Sequence, residues 1–304
     1  MTIPDLFDAA GVHGWVHARC LGTGAETGFG ADEPVVLASV IKVPLVLEFA
    51  RQVAEGQLEP TDRVRVREVD RLGGTGTAGC ADDVELSLRD VARFALTVSD
   101  NTAADLLFDR VGVDNVRSLL AELGLRATTV AGPPRDIVRA MASDVGAADL
   151  AEFARRFPTL TDEQLLATRA LDPIRTTAST PMEMTRLLAL IWSGEAAPPQ
   201  ACRQVRALMA QQVSWARLGA AFAPDATVAG KTGTLPCVRN EIGVVDYPDG
   251  GRYAVAVFTR GGGTRPRPDI ERAIGAAARH AVEELRRARG PGTVHPPPVS
   301  GDTP

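Results

Sequence analysis

The chain has 304 residues, 45% of them apolar, enough for one large domain or two interleaved ones with a substantial core. Its formal net charge is −5 and it carries no basic stripe, so neither nucleic acid nor an anionic membrane surface is expected as a partner. No apolar run approaches the ~18 residues of a membrane span, and residues 1–14, with Asp5 and Asp8, do not read as a secretion leader. The expectation is a cytoplasmic chain, or a secreted one if a leader has been removed.

In chain order, residues 4–10 read as a short helix, and 15–21 and 26–36 as two strands joined by Gly22-Thr23-Gly24. Residues 39–55 form a strongly apolar helix in which Pro44 is expected to cost a hydrogen bond. Residues 61–68 alternate like a strand. Residues 72–80 hold too many glycines for a helix; they lack the lysine of a phosphate-binding loop, so no phosphate site is expected. Residues 87–97 have helical apolar spacing, with Ser87 and Asp90 placed as a helix start. Further helices are expected over 101–110 and 114–124, near 147–156 and 162–171, over 180–193 behind Ser179-Thr180-Pro181, and over 201–212. The period then changes. Residues 226–229, 242–247 and 253–259 read as strands, with Asp249-Gly250-Gly251 as a hairpin turn. Residues 268–288 form a last amphipathic helix, and the Pro/Gly-rich 290–304 is expected to be disordered.

This order predicts an α+β fold: a five-stranded antiparallel sheet drawn from both ends of the chain, flanked by the terminal helices, with a large all-helical insertion. The corresponding division is a sheet subdomain of 1–57 and 213–289 and a helical one of 58–212. Cys20, Cys80, Cys202 and Cys237 are far apart and read as free thiols. His13 and His17 are spaced i, i+4, but on a strand-like segment, and His280 and His295 complete no ligand pattern. No metal or other cofactor is expected.

Of 33 lysines and arginines, only Lys42 and Lys231 are lysines; the other 31 are arginines. Arginine stays protonated, whereas a partly buried lysine can lose its proton and act as a base. Each lysine sits in a short chemical motif. In Ser39-Val40-Ile41-Lys42, helical spacing puts the hydroxyl and the amine side by side. A serine hydroxyl needs such a base to become a nucleophile, and the start of a helix offers free N–H groups for a developing negative charge. The pattern alone is weak and gains force from the scarcity of lysine. Ser99-Asp100-Asn101 is a plausible helix cap; Ser99 is also placed to relay protons, and Asn101 to bind a substrate amide and the Lys42 amine. Lys231-Thr232-Gly233-Thr234 ends a strand: Gly233 lets a substrate backbone approach, the lysine and threonines offer a cation and donors to a carboxylate, and the Thr234 N–H completes an oxyanion hole with that of Ser39.

Together these motifs resemble the penicillin-recognising serine enzymes, class A β-lactamases in particular. Ser39 and Ser99 are 60 residues apart, near that family's separation, and the run from Ser99 to Leu107 looks like its hallmark helix. Ser179-Thr180-Pro181 with Met184 resembles the segment after the family's omega loop, and Arg239 to Gly243 the strand after its Lys-Thr-Gly; the likeness spans 10–288. It implies Ser39, Lys42 and Ser99 as catalytic residues, Asn101, Lys231, Thr232, Gly233 and Thr234 as substrate-binding residues, and a monomer opening a small β-lactam or related ester or amide through a Ser39 acyl-enzyme. The chain departs from the family where the omega loop carries Glu-x-x-Leu-Asn for deacylation. The matching stretch from Thr128 reads Thr-Thr-Val-Ala-Gly-Pro-Pro-Arg-Asp, and Asp136, Asp162, Glu163 and Asp172 are the acids nearby. The loop 72–80 also lacks the aromatic that flanks the family's substrate. Slow release of the acyl group follows. The alternatives are an esterase or peptidase acting on another acyl substrate, and a sensor that is acylated once.

Overall fold

The computed structural model describes residues 1–288, so the tail 290–304 lies outside the described residues. The elements run α1 (Ile3–Ala9), β1 (His13–Cys20), β2 (Glu26–Phe29), β3 (Val35–Val36), a 3-10 turn (Ala38–Ile41) leading into α2 (Lys42–Ala54), β4 (Arg63–Val66), β5 (Val84–Ser87), α3 (Leu88–Thr97), α4 (Asn101–Val111), α5 (Val113–Glu122), α6 (Pro134–Asp144), α7 (Leu150–Arg156), α8 (Asp162–Leu166), β6 (Ala178–Ser179), α9 (Pro181–Ser193), α10 (Pro199–Met209), α11 (Leu218–Phe222), β7 (Thr227–Leu235), β8 (Val238–Asp246), β9 (Arg252–Arg260) and α12 (Pro268–Ala288).

The main sheet has the order β2-β1-β9-β8-β7, all neighbours antiparallel, so both ends of the chain build one α+β sheet as expected. Alternation along the strands buries both faces. Val16, Ala18, Val255 and Val257 pack with Phe7 of α1, Phe222 of α11 and Ile274 and Val282 of α12. Ile242, Val244, Ala254, Ala256 and Phe258 point the other way, into a cluster shared with α2, α4, α5, α9 and α10. The apolar helix α2 thus joins sheet and helical region in one continuous core.

Local signals set several boundaries. The Ser87 hydroxyl accepts from the Asp90 N–H, and Thr180 accepts from Glu183, capping α3 and α9 as expected. Pro44 falls in the first turn of α2, where a missing N–H costs little; the lost hydrogen bond expected in mid-helix does not arise. Elsewhere tertiary contacts decide. The stretch expected as one strand over 26–36 breaks into β2 and β3, and β3 pairs with β6, Val35 opposite Ser179. The strand expected over 226–229 continues to Leu235, so the second lysine motif lies within β7 rather than at its end. Helix α6 was not expected. Pro133-Pro134 reads as a break and offers no local cap; the cap comes from α4, whose buried Asp105 accepts a hydrogen bond from the Arg135 N–H at 3.0 Å. In the glycine-rich loop, Gly76 (φ +85°) packs so tightly on Asp100 that a Cβ would lie 2.4 Å from a carboxylate oxygen, and the Thr77 N–H donates to that carboxylate at 2.6 Å. Gly76 thus serves close packing on the start of α4.

Candidate active site

Ser39 lies in the 3-10 turn one residue after Ala38, whose φ of +50° is unusual for a side chain with a Cβ. Two contacts hold the approach to this turn. The buried Asn240 amide of β8 donates to Val36 O at 2.8 Å and its oxygen accepts from the Thr259 N–H. Gly233 of β7 lies flat against the turn: a Cβ there would sit 2.6 Å from Leu37 O. The close approach that Gly233 permits is therefore to the segment leading to Ser39, a different reason from the substrate contact expected for it.

Lys42 follows by one helical step and is fully buried. Its Nζ donates to Ser99 O at 2.8 Å and to Asn101 Oδ1 at 2.6 Å. Burial pushes the amine down from 10.5 to about 7, against the opposing pull of the Asp100 and Asp105 carboxylates. A neutral amine has two N–H bonds and one lone pair. Both N–H bonds are taken by pure acceptors, which leaves the lone pair free in a cleft that Lys42 and Ser39 both line.

Ser99 also has a positive φ, +60°. That conformation turns its carbonyl to Lys42 and its hydroxyl to Lys231, whose Nζ donates to Ser99 Oγ at 2.9 Å and to Thr232 O at 2.8 Å. The cap of α4 is Asp100, accepting from Ala103, so capping and the polar cluster coexist in one tripeptide. Burial, and next the Lys42 charge, hold the Lys231 amine well below its usual value. Both lysines of the chain thus converge on one serine, one on its carbonyl and one on its hydroxyl. The Thr232 N–H donates to Gln212 Oε1 at 2.5 Å, and the Gln212 amide donates to the buried Glu241, whose carboxyl burial pushes up.

Ser39, Lys42, Asn101 and Thr234 line one cleft of about 520 Å³, partly open to solvent. Ser99, Lys231 and Thr232 stand behind it, tied in by the hydrogen bonds above. Its far wall is Gly132, Pro134, Ile137 and Val138 from the start of α6, with Thr176 and Thr177. Among the described residues lining it there is no carboxylate. Of the acids considered from the sequence, Asp136 pairs with Arg139 at 3.5 Å, and Asp172 accepts from the Ile174 N–H. A further acid, Asp105, acts on Lys42 after Asp100 and is itself pushed up to about 6 chiefly by burial.

Arg217 is a second unforeseen residue. It is buried beside β7, donates to Gly233 O at 3.2 Å and to Thr234 Oγ1 at 3.1 Å, and pairs with Glu271 of α12. It sets a permanent cation at the Thr234 end of the cleft. Among 31 arginines, nothing local marks it. His13 and His17 both lie on β1, and His17 is buried against Thr185 Oγ1 at 2.6 Å.

A serine in a 3-10 turn, a buried lysine one turn on and a lysine-bearing strand on an α+β scaffold define the β-lactamase class of architecture. The chain belongs to the β-lactamase enzyme family, whose model matches residues 2–285. It is 29% identical over 299 residues to the β-lactamase regulatory protein BlaB of Streptomyces cacaoi, covering 93% of this chain and 96% of the relative. A β-lactamase structure from Sphaerobacter thermophilus is 25% identical with a TM-score of 0.74, covering 95% of this chain and 98% of that one. The PBP-A structure, at 22% identity and a TM-score of 0.73, covers 94% and 96% and shares the fold; a mutant of it was solved as an acyl-enzyme complex with penicillin G. No helix of the described residues is long and apolar enough to cross a membrane.

Proposed function

We propose that the protein is a serine acyl hydrolase that opens a β-lactam amide through an ester on Ser39 and releases the product slowly. The observation that carries this reading is the convergence of two buried lysine amines on Ser99 beside the Ser39 cleft. Neutral Lys42 takes the hydroxyl proton as Ser39 Oγ attacks the carbonyl carbon. The N–H groups of Ser39 and Thr234 stabilise the oxyanion. The amide C–N bond then breaks, and the proton that Lys42 took passes by way of Ser99 Oγ, positioned by Lys231, to the leaving nitrogen, which restores the neutral Lys42 amine. Asn101 holds the substrate amide, and Thr234 with Arg217 meets an anionic substituent.

Hydrolysis of the ester needs a base near a water. The wall facing Ser39 across the cleft is Pro134, Ile137 and Val138. The same wall, with the similarity to a regulatory protein, favours a second reading: a sensor acylated once and left so.

Two measurements test this. Intact-mass spectra after incubation with penicillin G show one added equivalent on the wild type and none on Ser39→Ala; a labelled Ser39→Ala overturns the assignment of the nucleophile. A nitrocefin time course separates the readings: a burst followed by slow steady turnover marks the hydrolase, and one equivalent with no further turnover marks the sensor. Rapid linear turnover refutes the inference drawn from the cleft wall.

A further inference from the structure

A second concavity, wider than the Ser39 cleft, lies away from it. In β1, His13 pairs with Arg260 near the cleft end of the sheet, and Cys20 pairs with Tyr253 at the other end, roughly 25 Å away along an eight-residue strand. There, between β1, β9 and the end of α9, a groove of about 1140 Å³ opens to solvent. Arg19, Arg186 and Arg252 line it with Trp192, Leu190 and a single carboxylate, Glu195.

Its charges are not balanced internally. Arg252 pairs with Asp246 at 2.9 Å, and one end of the Arg19 guanidinium pairs with Glu26. The Arg19 Nε is buried without an acceptor, an expensive state for a charged donor. Arg186 is exposed and has no carboxylate partner among the described residues. Behind the groove, Arg206 donates to Trp192 O at 2.7 Å; burial lowers its affinity for its proton, and the neighbouring charges of Arg252 and Arg203 act in the same direction. This excess of positive charge sits in a chain whose net charge is −5. Three arginines thus line one hollow: Asp246 takes the Arg252 fork and Glu26 one end of Arg19, while among the described residues the Arg19 Nε and the whole Arg186 guanidinium remain without a carboxylate.

We propose that this groove binds a small multivalent anion, with carboxylate or phosphate groups held by Arg19, Arg186 and Arg252 and its body against Trp192. Planar guanidinium forks match both oxyanion types, and a half-buried indole supplies the apolar contact. The site is independent of the Ser39 cleft and of the reaction proposed there.

Calorimetric titration of the full chain with pyrophosphate and with citrate, at low ionic strength, tests it. We expect at least one to bind with a dissociation constant on the order of 10⁻⁴ M, weakening as salt screens the exposed charges. Which one binds tells phosphate from carboxylate recognition. Arg186→Glu should weaken binding at least tenfold. Arg186 is exposed and touches nothing in the Ser39 cleft, so this variant keeps its melting temperature and its rate of labelling by penicillin G. Arg186→Gln, which loses charge without reversing it, should fall between. Failure of both anions to bind the wild type, or wild-type affinity in Arg186→Glu, overturns the proposal.

Discussion

Replacing Lys42 by methionine removes the amine while keeping the length and volume of a fully buried side chain. The structure supplies the expected size of the effect. Lowering the amine from 10.5 to about 7 raises its neutral fraction at pH 7 from roughly one in three thousand to about half, a gain of about a thousandfold in competent base. General-base catalysis contributes typically about 10²–10⁴-fold, so Lys42→Met should slow Ser39 acylation by that order. The sign of the pH dependence follows from the same shift. The amine is protonated and inactive below about 7 and free above it, so the wild-type acylation rate should climb from pH 6 to 8 and level off beyond. Stopped-flow acylation by nitrocefin across that range, with intact mass as the endpoint, measures both effects. Because the variant buries no charge, its fold should survive, and a melting curve checks this. Acylation that is flat across this range in the wild type, or Lys42→Met acylated at the wild-type rate, refutes Lys42 as the base.

Two further substitutions probe the cleft. Gly233→Ala places a methyl 2.6 Å from Leu37 O, so the segment leading to Ser39 must move. We expect a stability loss of about 1–3 kcal/mol by chemical denaturation and an acylation rate lower by up to roughly a hundredfold, since small misplacements of reacting groups are costly. Arg217→Gln removes the permanent cation beside Thr234 and leaves Glu271 without this partner. Acylation by carboxylate-bearing β-lactams should weaken about tenfold or more, mainly through affinity, while a neutral ester substrate is little affected; equal losses on both would make Arg217 purely structural.

Much of the site was legible because its chemistry is carried by rare residues. Against a background of arginine, two lysines stand out, and helical spacing links Ser39 to Lys42. The sheet was legible because two-residue alternation is a local signal, and the helix over 268–288 because its apolar period is unbroken. The omega-loop departure was also visible, since a missing carboxylate is a property of composition.

What the chain order could not reveal was made by partners distant in sequence. Helix α6 starts at the second of two prolines, and Asp105, thirty residues earlier, supplies the acceptor for its first turn. Gly233 is needed because the turn at Leu37, nearly two hundred residues away, presses against it. Arg217 is set apart not by its sequence neighbours but by its burial against β7, where it reaches Gly233 O and Thr234 Oγ1. Periodicity and capping act within a few residues and can be read directly. Burial, and the pKa shifts and close approaches that burial creates, depend on which surfaces meet, and only the folded chain decides that.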